Sequence, residues 1–262
     1  TAEEPLAQCP PLTAPRWERL KLPPFTKHLY TEADAVKALS EQEVDQFRQR
    51  KGIQCYGQSV PKPCPTIADL SCLPEALFKQ LMQEIGDLEP VQSQVWPAAL
   101  SGRDVVTFGA PEAAATLSYV IPAIHHINAQ PRLKPGDGPI VLILCPTKER
   151  ALAIQKECTA YGHSTGVKNA VIIGGVAKGP QLRDLAKGVE IVIGTPGRTA
   201  DLLYNGATHL QQCTLAIVDE ADSCIDLGYS EHVQAMLNCI RPDRQTQMFA
   251  QDWTPAGQEL CE

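Results

Sequence analysis

Short apolar runs alternate with longer amphipathic segments from residue 66 onward. Each run is rich in Val, Ile or Leu, which is typical of β-strands buried on both faces. Six strands are predicted, at 104–108, 140–144, 169–173, 190–194, 215–219 and 245–250. Helices are predicted between them, at 113–128, 147–162, 178–187, 197–204 and 229–240. This order predicts an α/β fold, a doubly wound and mostly parallel sheet with helices on both faces.

Residues 1–65 follow a different pattern, with proline-rich turns and one helix predicted near 40–50. Ser40 is suited to cap that helix, because Glu43 three residues later completes a capping box. We expect residues 1–65 to form an N-terminal extension packed on the core, and residues 66–262 to form one domain. The sequence shows no secretory signal and no apolar run long enough for a membrane span, so no membrane association is expected.

Composition and charge narrow the function only a little. The ten cysteines include no CxxC pair, which disfavours structural zinc, and several lie in apolar stretches typical of buried thiols. Reduced thiols predict a reducing intracellular compartment. His125 and His126 are adjacent and do not share a helix face, so they predict no metal site. The net charge of −7 opposes general binding of nucleic acid, so any RNA contact has to be local.

The chemistry is expected in the turns after the six strands, because doubly wound sheets bind ligands at the carboxyl ends of their strands. These turns read, in order, GAPEAAAT, CPTKERA, GG, TPGR, DEAD and AQD. The series resembles the ordered motifs of DEAD-box RNA helicases, p68-like subfamily, and the resemblance covers about residues 22–253. It implies that this chain is the N-terminal RecA-like lobe and that the second lobe of a complete helicase is absent from it.

The phosphate-binding loop departs from the pattern of that family. The family's AxTGSGKT becomes GAPEAAAT, in which only the final hydroxyl, Thr116, is kept and Ala115 takes the place of the lysine. Glu112 and Ala114 replace glycines, and Pro111 removes an amide donor. A carboxylate near the phosphates and the loss of a cation both weaken nucleotide binding. The alternative is a divergent loop that still binds nucleotide through other contacts.

The adenine-facing residues imply a similar loss. Gln92 matches the family glutamine that holds the base, but Ile67 stands where the family has its upstream phenylalanine. The aromatic, proline and threonine of the same motif are replaced by Ile85, Leu88 and Glu89. We therefore slightly favour a helix-capping or surface role for the Gln92 side-chain amide over contact with the base.

The DEAD sequence itself is intact at residues 219–222. By resemblance, Asp219 would bind magnesium through water and Glu220 would polarise the attacking water, with Asp222 completing the motif. Without phosphates to hold it, a hydrated magnesium ion binds such a pair poorly. The last turn reads Ala-Gln-Asp at 250–252, where the family has Ser-Ala-Thr, so both hydroxyls are missing.

The turns that face RNA in the family are better kept. They match its PTRE, GG and TPGR motifs at Pro146, Thr147, Lys148, Glu149, Gly174, Gly175, Thr195, Pro196, Gly197 and Arg198. Hydroxyls and amides at helix starts can hold RNA phosphates without reading the base sequence. The alternative is structural, because GG and TPGR also form the tight strand-to-helix turns that such a lobe needs.

These residues together predict a catalytically inactive lobe that serves as a protein-interaction module in an RNA-related complex. Asp219, Glu220 and Asp222 would then be vestigial catalytic residues, and Gln92 and Thr116 vestigial nucleotide contacts. No cofactor is expected, a protein partner is expected, and any RNA binding is expected to be weak. By resemblance we expect the nucleus or cytoplasmic RNA granules. The alternative is an ATP-dependent RNA helicase lobe with an unorthodox phosphate loop, which would use ATP and magnesium.

Overall fold

A six-stranded sheet forms the centre of the computed structural model, which describes residues 8–134 and 136–261. Every pairing between neighbouring strands is parallel. The strands are β1 (Val105–Phe108), β2 (Val141–Leu144), β3 (Asn169–Ile172), β4 (Ile191–Gly194), β5 (Leu215–Val218) and β6 (Gln245–Ala250). They lie in the order β1-β6-β5-β2-β4-β3. The predicted α/β fold is confirmed.

Helices cover both faces of this sheet. They are α1 (Asp34–Lys37), α2 (Glu41–Lys51), α3 (Glu75–Glu84), α4 (Pro90–Leu100), α5 (Glu112–Asn128), α6 (Lys148–Gly162), α7 (Lys178–Ala186), α8 (Pro196–Tyr204), α9 (Ala221–Asp226), α10 (Ser230–Asn238) and α11 (Pro255–Cys261). Successive residues of a strand point to opposite faces. Val141 and Ile143 accordingly join one apolar cluster, and Leu142 and Leu144 join another.

The position of each strand in the sheet explains its pattern of apolar residues. Of the four inner strands, β2, β4 and β5 are buried at every position, and this gives the continuous apolar runs of the sequence, whereas β6 is partly exposed at Thr246 and Ala250. The edge strands β1 and β3 instead alternate between more and less buried positions. Because all six strands are parallel, the turns after them meet at one edge of the sheet.

Hydrogen bonds order the N-terminal segment and join it to the rest of the protein. Helix α2 has the predicted capping box, with the Ser40 amide 2.8 Å from a Glu43 carboxylate oxygen. The Nε of Arg48 donates to Gln94 at 3.0 Å, and the Nζ of Lys27 donates to the carbonyl of Arg244 at 3.1 Å. The boundary at residues 65 and 66 stays a prediction. Among the described residues, no helix is both long and apolar enough to cross a membrane.

Helices α1, α3, α4, α9 and α11 are absent from the prediction made on the sequence. Helix α4 shows why, because it is buried almost all round and so has no polar face to reveal a helical period. It starts with Pro90, which is well suited to the first position of a helix. The indole nitrogen of Trp96 donates to the carbonyl of Leu117 at 3.1 Å and joins α4 to α5.

His126 on α5 makes the stability of this fold dependent on pH. It is 2% exposed, and its Nε2 lies 2.8 Å from the hydroxyl of Thr214. Burial, followed by the charges of His125 and Lys27, lowers the pKa of His126 from its ordinary 6.5 to about 4. The unfolded chain therefore binds the proton more readily, and stability falls as the pH drops from 6.5 towards 4.

We expect this residue to contribute up to about 3 kcal/mol of the loss in unfolding free energy on going from neutral to mildly acidic pH. The His126→Gln variant removes the titrating group and should show a correspondingly smaller loss. Urea unfolding at a series of pH values measures the difference. Equal pH dependence in both proteins would contradict the assignment.

Candidate active site

The phosphate-loop segment folds into a short turn followed directly by α5. Gly109 adopts a left-handed φ of 72°, and Pro111 caps a helix that begins at Glu112. The first backbone bond of the helix runs from the amide of Ala115 to the carbonyl of Pro111, at 2.9 Å. The amides of residues 112–114 thus have no acceptor within the helix. Such a helix start favours an anion.

Arg150 is the cation of this site, and the sequence analysis missed it. Its side chain is 5% exposed and lies among residues of β5, α5 and the DEAD turn. Nε is 2.5 Å from Asp219 Oδ2 and 3.4 Å from Glu220 Oε1. Nη1 is 2.6 Å from Glu112 Oε1, and Nη2 donates to Thr116 Oγ1 at 2.7 Å. A positive charge therefore lies beside the loop from which the lysine is missing.

The guanidinium is held by charge and by hydrogen bonds together. Burial disfavours its charged form, but Asp219, then Tyr119 and Glu112, outweigh that effect and raise the pKa of Arg150 above its ordinary value. The Asp219 side chain is 2% exposed, so removing either partner would leave an uncompensated buried charge. Glu112 is different, because its side chain is 63% exposed. Glu112 is thus the partner most easily exchanged for another anion.

A signal for Arg150 is nevertheless present in the sequence. Helix α6 buries Ile154 and Cys158, which follow Arg150 at intervals of four residues and share its face of the helix. A charged side chain on an otherwise apolar helix face is almost never fully buried without a partner. The buried face of α6 therefore indicates an ion pair at Arg150. The PTKE match ends one residue before Arg150 and does not include it.

The DEAD turn places two carboxylates at the carboxyl end of β5. Asp219 continues the sheet, its amide donating to the carbonyl of Leu144 at 2.8 Å. Glu220 has a left-handed φ of 48°, a conformation that is uncommon for a residue other than glycine and is often found at functional sites. Burial, then the charge of Asp219, raises the pKa of Glu220 above its ordinary value. Both carboxylates line a cavity of about 160 Å³.

Asp222 organises the turn that follows β6. One of its carboxylate oxygens accepts from the amides of Gln251 and Asp252, at 2.9 and 3.1 Å. The side-chain amide of Gln251 donates to the carbonyl of Ala110 at 2.9 Å and so joins this turn to the phosphate-loop segment. Both hydroxyls of the family motif are missing, but these bonds keep the two turns in contact.

The residues that match the adenine-facing positions of the family make contacts within the protein. Gln92 is 3% exposed, and its carbonyl oxygen accepts from the amide of Glu89 at 3.1 Å, as part of a capping box at the start of α4. Ile67 and Leu88 are buried in the apolar core. Gln92 therefore has the helix-capping role that the sequence left open, and it is not a surface amide.

The residues expected to face RNA lie at the ends of β2, β3 and β4, which are neighbours in the sheet. Thr147, Lys148 and Gly175 are exposed, whereas Pro146, Thr195 and Pro196 are buried and shape the turns. Gly174, Gly197 and Arg198 are partly exposed.

Two of the exposed polar groups already have partners in the protein. The Thr147 hydroxyl accepts from the amide of Arg150 at 3.2 Å and caps α6. Arg198 Nη1 donates to the carbonyl of Val176 at 3.1 Å. Both side chains remain accessible at helix starts, and such positions suit phosphate contacts.

A magnesium ion does not fit this arrangement of oxygens. P-loop nucleotide-binding proteins hold the metal with a Ser or Thr hydroxyl and an Asp. Here the matching oxygens, on Thr116 and Asp219, both accept from Arg150. A divalent cation at the same place would lie against a guanidinium, which repels it.

The distribution of metal-ligating side chains agrees with this. Within the described part of the chain, no group of three or more His, Cys, Asp or Glu side chains is arranged to hold an ion. The nine cysteines described there are free thiols. Neither the adjacent histidines nor the cysteines therefore form an alternative site in this part of the chain.

The family model for the DEAD/DEAH box helicases matches residues 89–250, more than half of the chain. This chain belongs to the DEAD/DEAH box helicase family. It is 45% identical over 252 residues to the ATP-dependent RNA helicase DBP2 of Eremothecium gossypii, and 45% identical over 246 residues to that of Schizosaccharomyces pombe. These matches cover 95% and 94% of this chain but 45% and 44% of the relatives, so the chain spans less than half of their length.

Solved DEAD-box structures resemble the fold closely. The yeast splicing factor Prp28 superposes with a TM-score of 0.81 at 27% identity, over 90% of this chain and 56% of that protein. Prp28 from Chaetomium thermophilum, solved bound to ADP, gives a TM-score of 0.77 at 27% identity, over 88% of this chain and 56% of its own. These neighbours confirm the RecA-like lobe.

The prediction of a catalytically inactive scaffold is wrong in the light of these relatives. They are ATP-dependent RNA helicases at 45% identity over nearly the whole chain, and this favours the alternative of a helicase lobe. The prediction that no cofactor is used is contradicted by the same relatives. The inference failed physically because it treated the loss of the lysine as the loss of all positive charge, whereas Arg150 brings a cation to the loop from α6.

Proposed function

We propose that this chain is the N-terminal lobe of an ATP-dependent RNA helicase with a divergent phosphate loop. The observation that carries the proposal is that Arg150, Asp219 and Glu220 line one cavity beyond the carboxyl ends of the strands, where Arg150 also donates to the hydroxyl of Thr116. A cation, a hydroxyl and two carboxylates at that edge are among the groups that nucleotide-binding proteins use for phosphoryl transfer. The ATP-dependent relatives support the same reading.

Nucleotide phosphates would be held by the start of α5 and by Arg150. The free amides of residues 112–114 and the helix dipole favour an anion at this point. Arg150 Nη1 already binds a carboxylate, Glu112, and a phosphate oxygen can replace that exposed group. The buried bonds to Asp219 and Thr116 need not break for this exchange. The divergent loop thus binds phosphate with a guanidinium in place of an ammonium.

Glu220 is the proposed general base. Its carboxylate lines the cavity beside Asp219, and its raised pKa makes it a stronger proton acceptor than an exposed glutamate. Asp219 holds Arg150, and Asp222 holds the turn after β6. All three acidic residues of the motif therefore have a role in the proposed reaction, which replaces the vestigial role first assigned to them.

RNA would bind along the turns after β2, β3 and β4, through its phosphates. Lys148 and Arg198 supply charge, and Thr147 and the partly exposed glycines let the backbone approach. The chain's acidic balance limits this binding to the local surface. An intracellular reducing location, in the nucleus or in cytoplasmic RNA granules, and a protein partner stay predictions.

Glu112 offers a direct test of nucleotide binding. Glu112→Gln removes the carboxylate that competes with phosphate for Arg150, so we expect ATP to bind about ten-fold more tightly. Calorimetry or the ATP-dependent rise in melting temperature measures the change on the chain itself. Glu75→Gln is a matched control, because Glu75 also follows a proline cap at the first position of a helix and pairs with a cation, Lys79.

The control should bind ATP as the parent chain does. If neither the parent chain nor Glu112→Gln responds to millimolar ATP, the proposed nucleotide site is wrong.

Glu220→Gln tests the proposed chemistry. Loss of a general base typically slows a reaction about 10²- to 10⁴-fold, so phosphate release should fall by at least about a hundred-fold while ATP affinity changes little. In the unmodified protein, a raised pKa moves the acid limb of the rate profile above the ordinary glutamate value of 4.5. Hydrolysis is measured in the longest natural form of the protein with RNA present. An unchanged rate in the variant would exclude Glu220 as the base.

Lys148→Ala and Arg198→Ala test the RNA surface. Each variant should weaken binding of single-stranded RNA about equally for all sequences and reduce the slope of log affinity against log salt by about one. Arg50→Ala, on α2, loses the same charge from an exposed helix outside this surface and should behave like the parent. If all three variants bind RNA identically, these turns are purely structural.

A further inference from the structure

The guanidinium of Arg150 and a divalent metal ion would bind the same oxygens. The metal in P-loop nucleotide-binding proteins lies between the loop hydroxyl and the Asp after a buried strand. Thr116 and Asp219 occupy those two positions, and Arg150 bridges them, with Nη2 2.7 Å from the hydroxyl and Nε 2.5 Å from the carboxylate. The guanidinium thus stands where the metal would stand.

Building on the proposed helicase function, we propose that Arg150 is an internal cation that competes with a divalent metal for Thr116 and Asp219. A metal–nucleotide complex can use these two oxygens only after the guanidinium has turned away from them. Arg150 thereby sets the metal concentration at which the site accepts a divalent ion.

The charges around Arg150 support this competition. Three carboxylates, on Glu112, Asp219 and Glu220, surround one guanidinium, all within 3.4 Å of its nitrogens. Removing the guanidinium would leave these carboxylates and the Thr116 hydroxyl without the cation that they share. These are hard oxygen ligands, which magnesium and manganese prefer.

Burial makes the exclusion strong. The side chains of Arg150 and Asp219 are 5% and 2% exposed, so solvent and salt screen little of the repulsion between the guanidinium and a second cation. The competing explanation is a purely structural ion pair that holds α6 against β5. The two explanations differ in what happens to divalent ions when Arg150 is replaced.

The experiment measures manganese binding by calorimetry and by melting temperature, on the chain without nucleotide or RNA. Arg150→Met and Arg150→Gln should each bind Mn²⁺ at least about ten-fold more tightly than the parent, because a buried repulsive charge is gone. The melting temperature of both variants should also rise as the Mn²⁺ concentration increases. The glutamine can still donate to Asp219, so it protects the fold where methionine does not.

Arg241→Met is the matched control. Arg241 is also buried and paired with a carboxylate, Asp243, but it lies outside the cavity, so its loss should leave Mn²⁺ binding at the parent level. Adding Asp219→Asn to Arg150→Gln should abolish the gain.

Three results would overturn the proposal. In the first, the parent chain binds Mn²⁺ as tightly as the Arg150 variants do. Another is variants that fold but bind no better than Arg241→Met. The last is failure of both variants to fold even in millimolar Mn²⁺, which would show a structural pair. Because nucleotide and RNA are absent, none of these results bears on ATP hydrolysis, and loss of hydrolysis in Glu220→Gln would not bear on them.

Discussion

The buried guanidinium of Arg150 joins parts of the site that lie far apart in the chain. It reaches from α6 to the DEAD turn after β5 and to the first turn of α5, and each contact is a charged or hydroxyl oxygen. Taking an ion from water into a protein is unfavourable unless partners replace the lost hydration, and here Asp219 is buried even more fully than Arg150. This one side chain therefore links the DEAD turn to the first turn of α5. Its partners differ in exposure, and this leaves Glu112 as the contact that can change.

The order of the strands divides the active edge of the sheet in two. The turns after β1, β6 and β5 carry the phosphate-loop segment, the Gln251 turn and the DEAD carboxylates, and those after β2, β4 and β3 carry the motifs that face RNA in the family. Helix α6 crosses this division. It begins with Thr147 and Lys148 on the RNA-facing side, and two residues later places Arg150 in the other half. The start of α6 and the guanidinium therefore belong to one helical turn.

The phosphate-loop segment is linked to a cation from outside it. Ala115 stands in place of the family lysine and Glu112 adds an anion, and Arg150 pairs with that anion and so places a guanidinium beside the loop. The sequence predicted an inactive protein because each motif position was compared only with the family residue at that position. Charge in a folded site can instead be supplied by any chain segment that reaches it. The relatives, all ATP-dependent RNA helicases by name, agree with a site that has been rearranged.

The sequence alone determined the sheet, its parallel class and the edge where chemistry would lie, because buried strands must be continuously apolar and the turns after parallel strands must meet. It also determined the acidic turn, Thr116 and the capping box at Ser40, which are local patterns. Helix α4 was not predicted, because it is buried on nearly all sides and so lacks the alternation of apolar and polar positions that marks a helix in a sequence. The sheet order and the role of Arg150 were decided only by the tertiary structure. Arg150 and Asp219 are 69 residues apart, and only folding brings the guanidinium from α6 beside the DEAD turn.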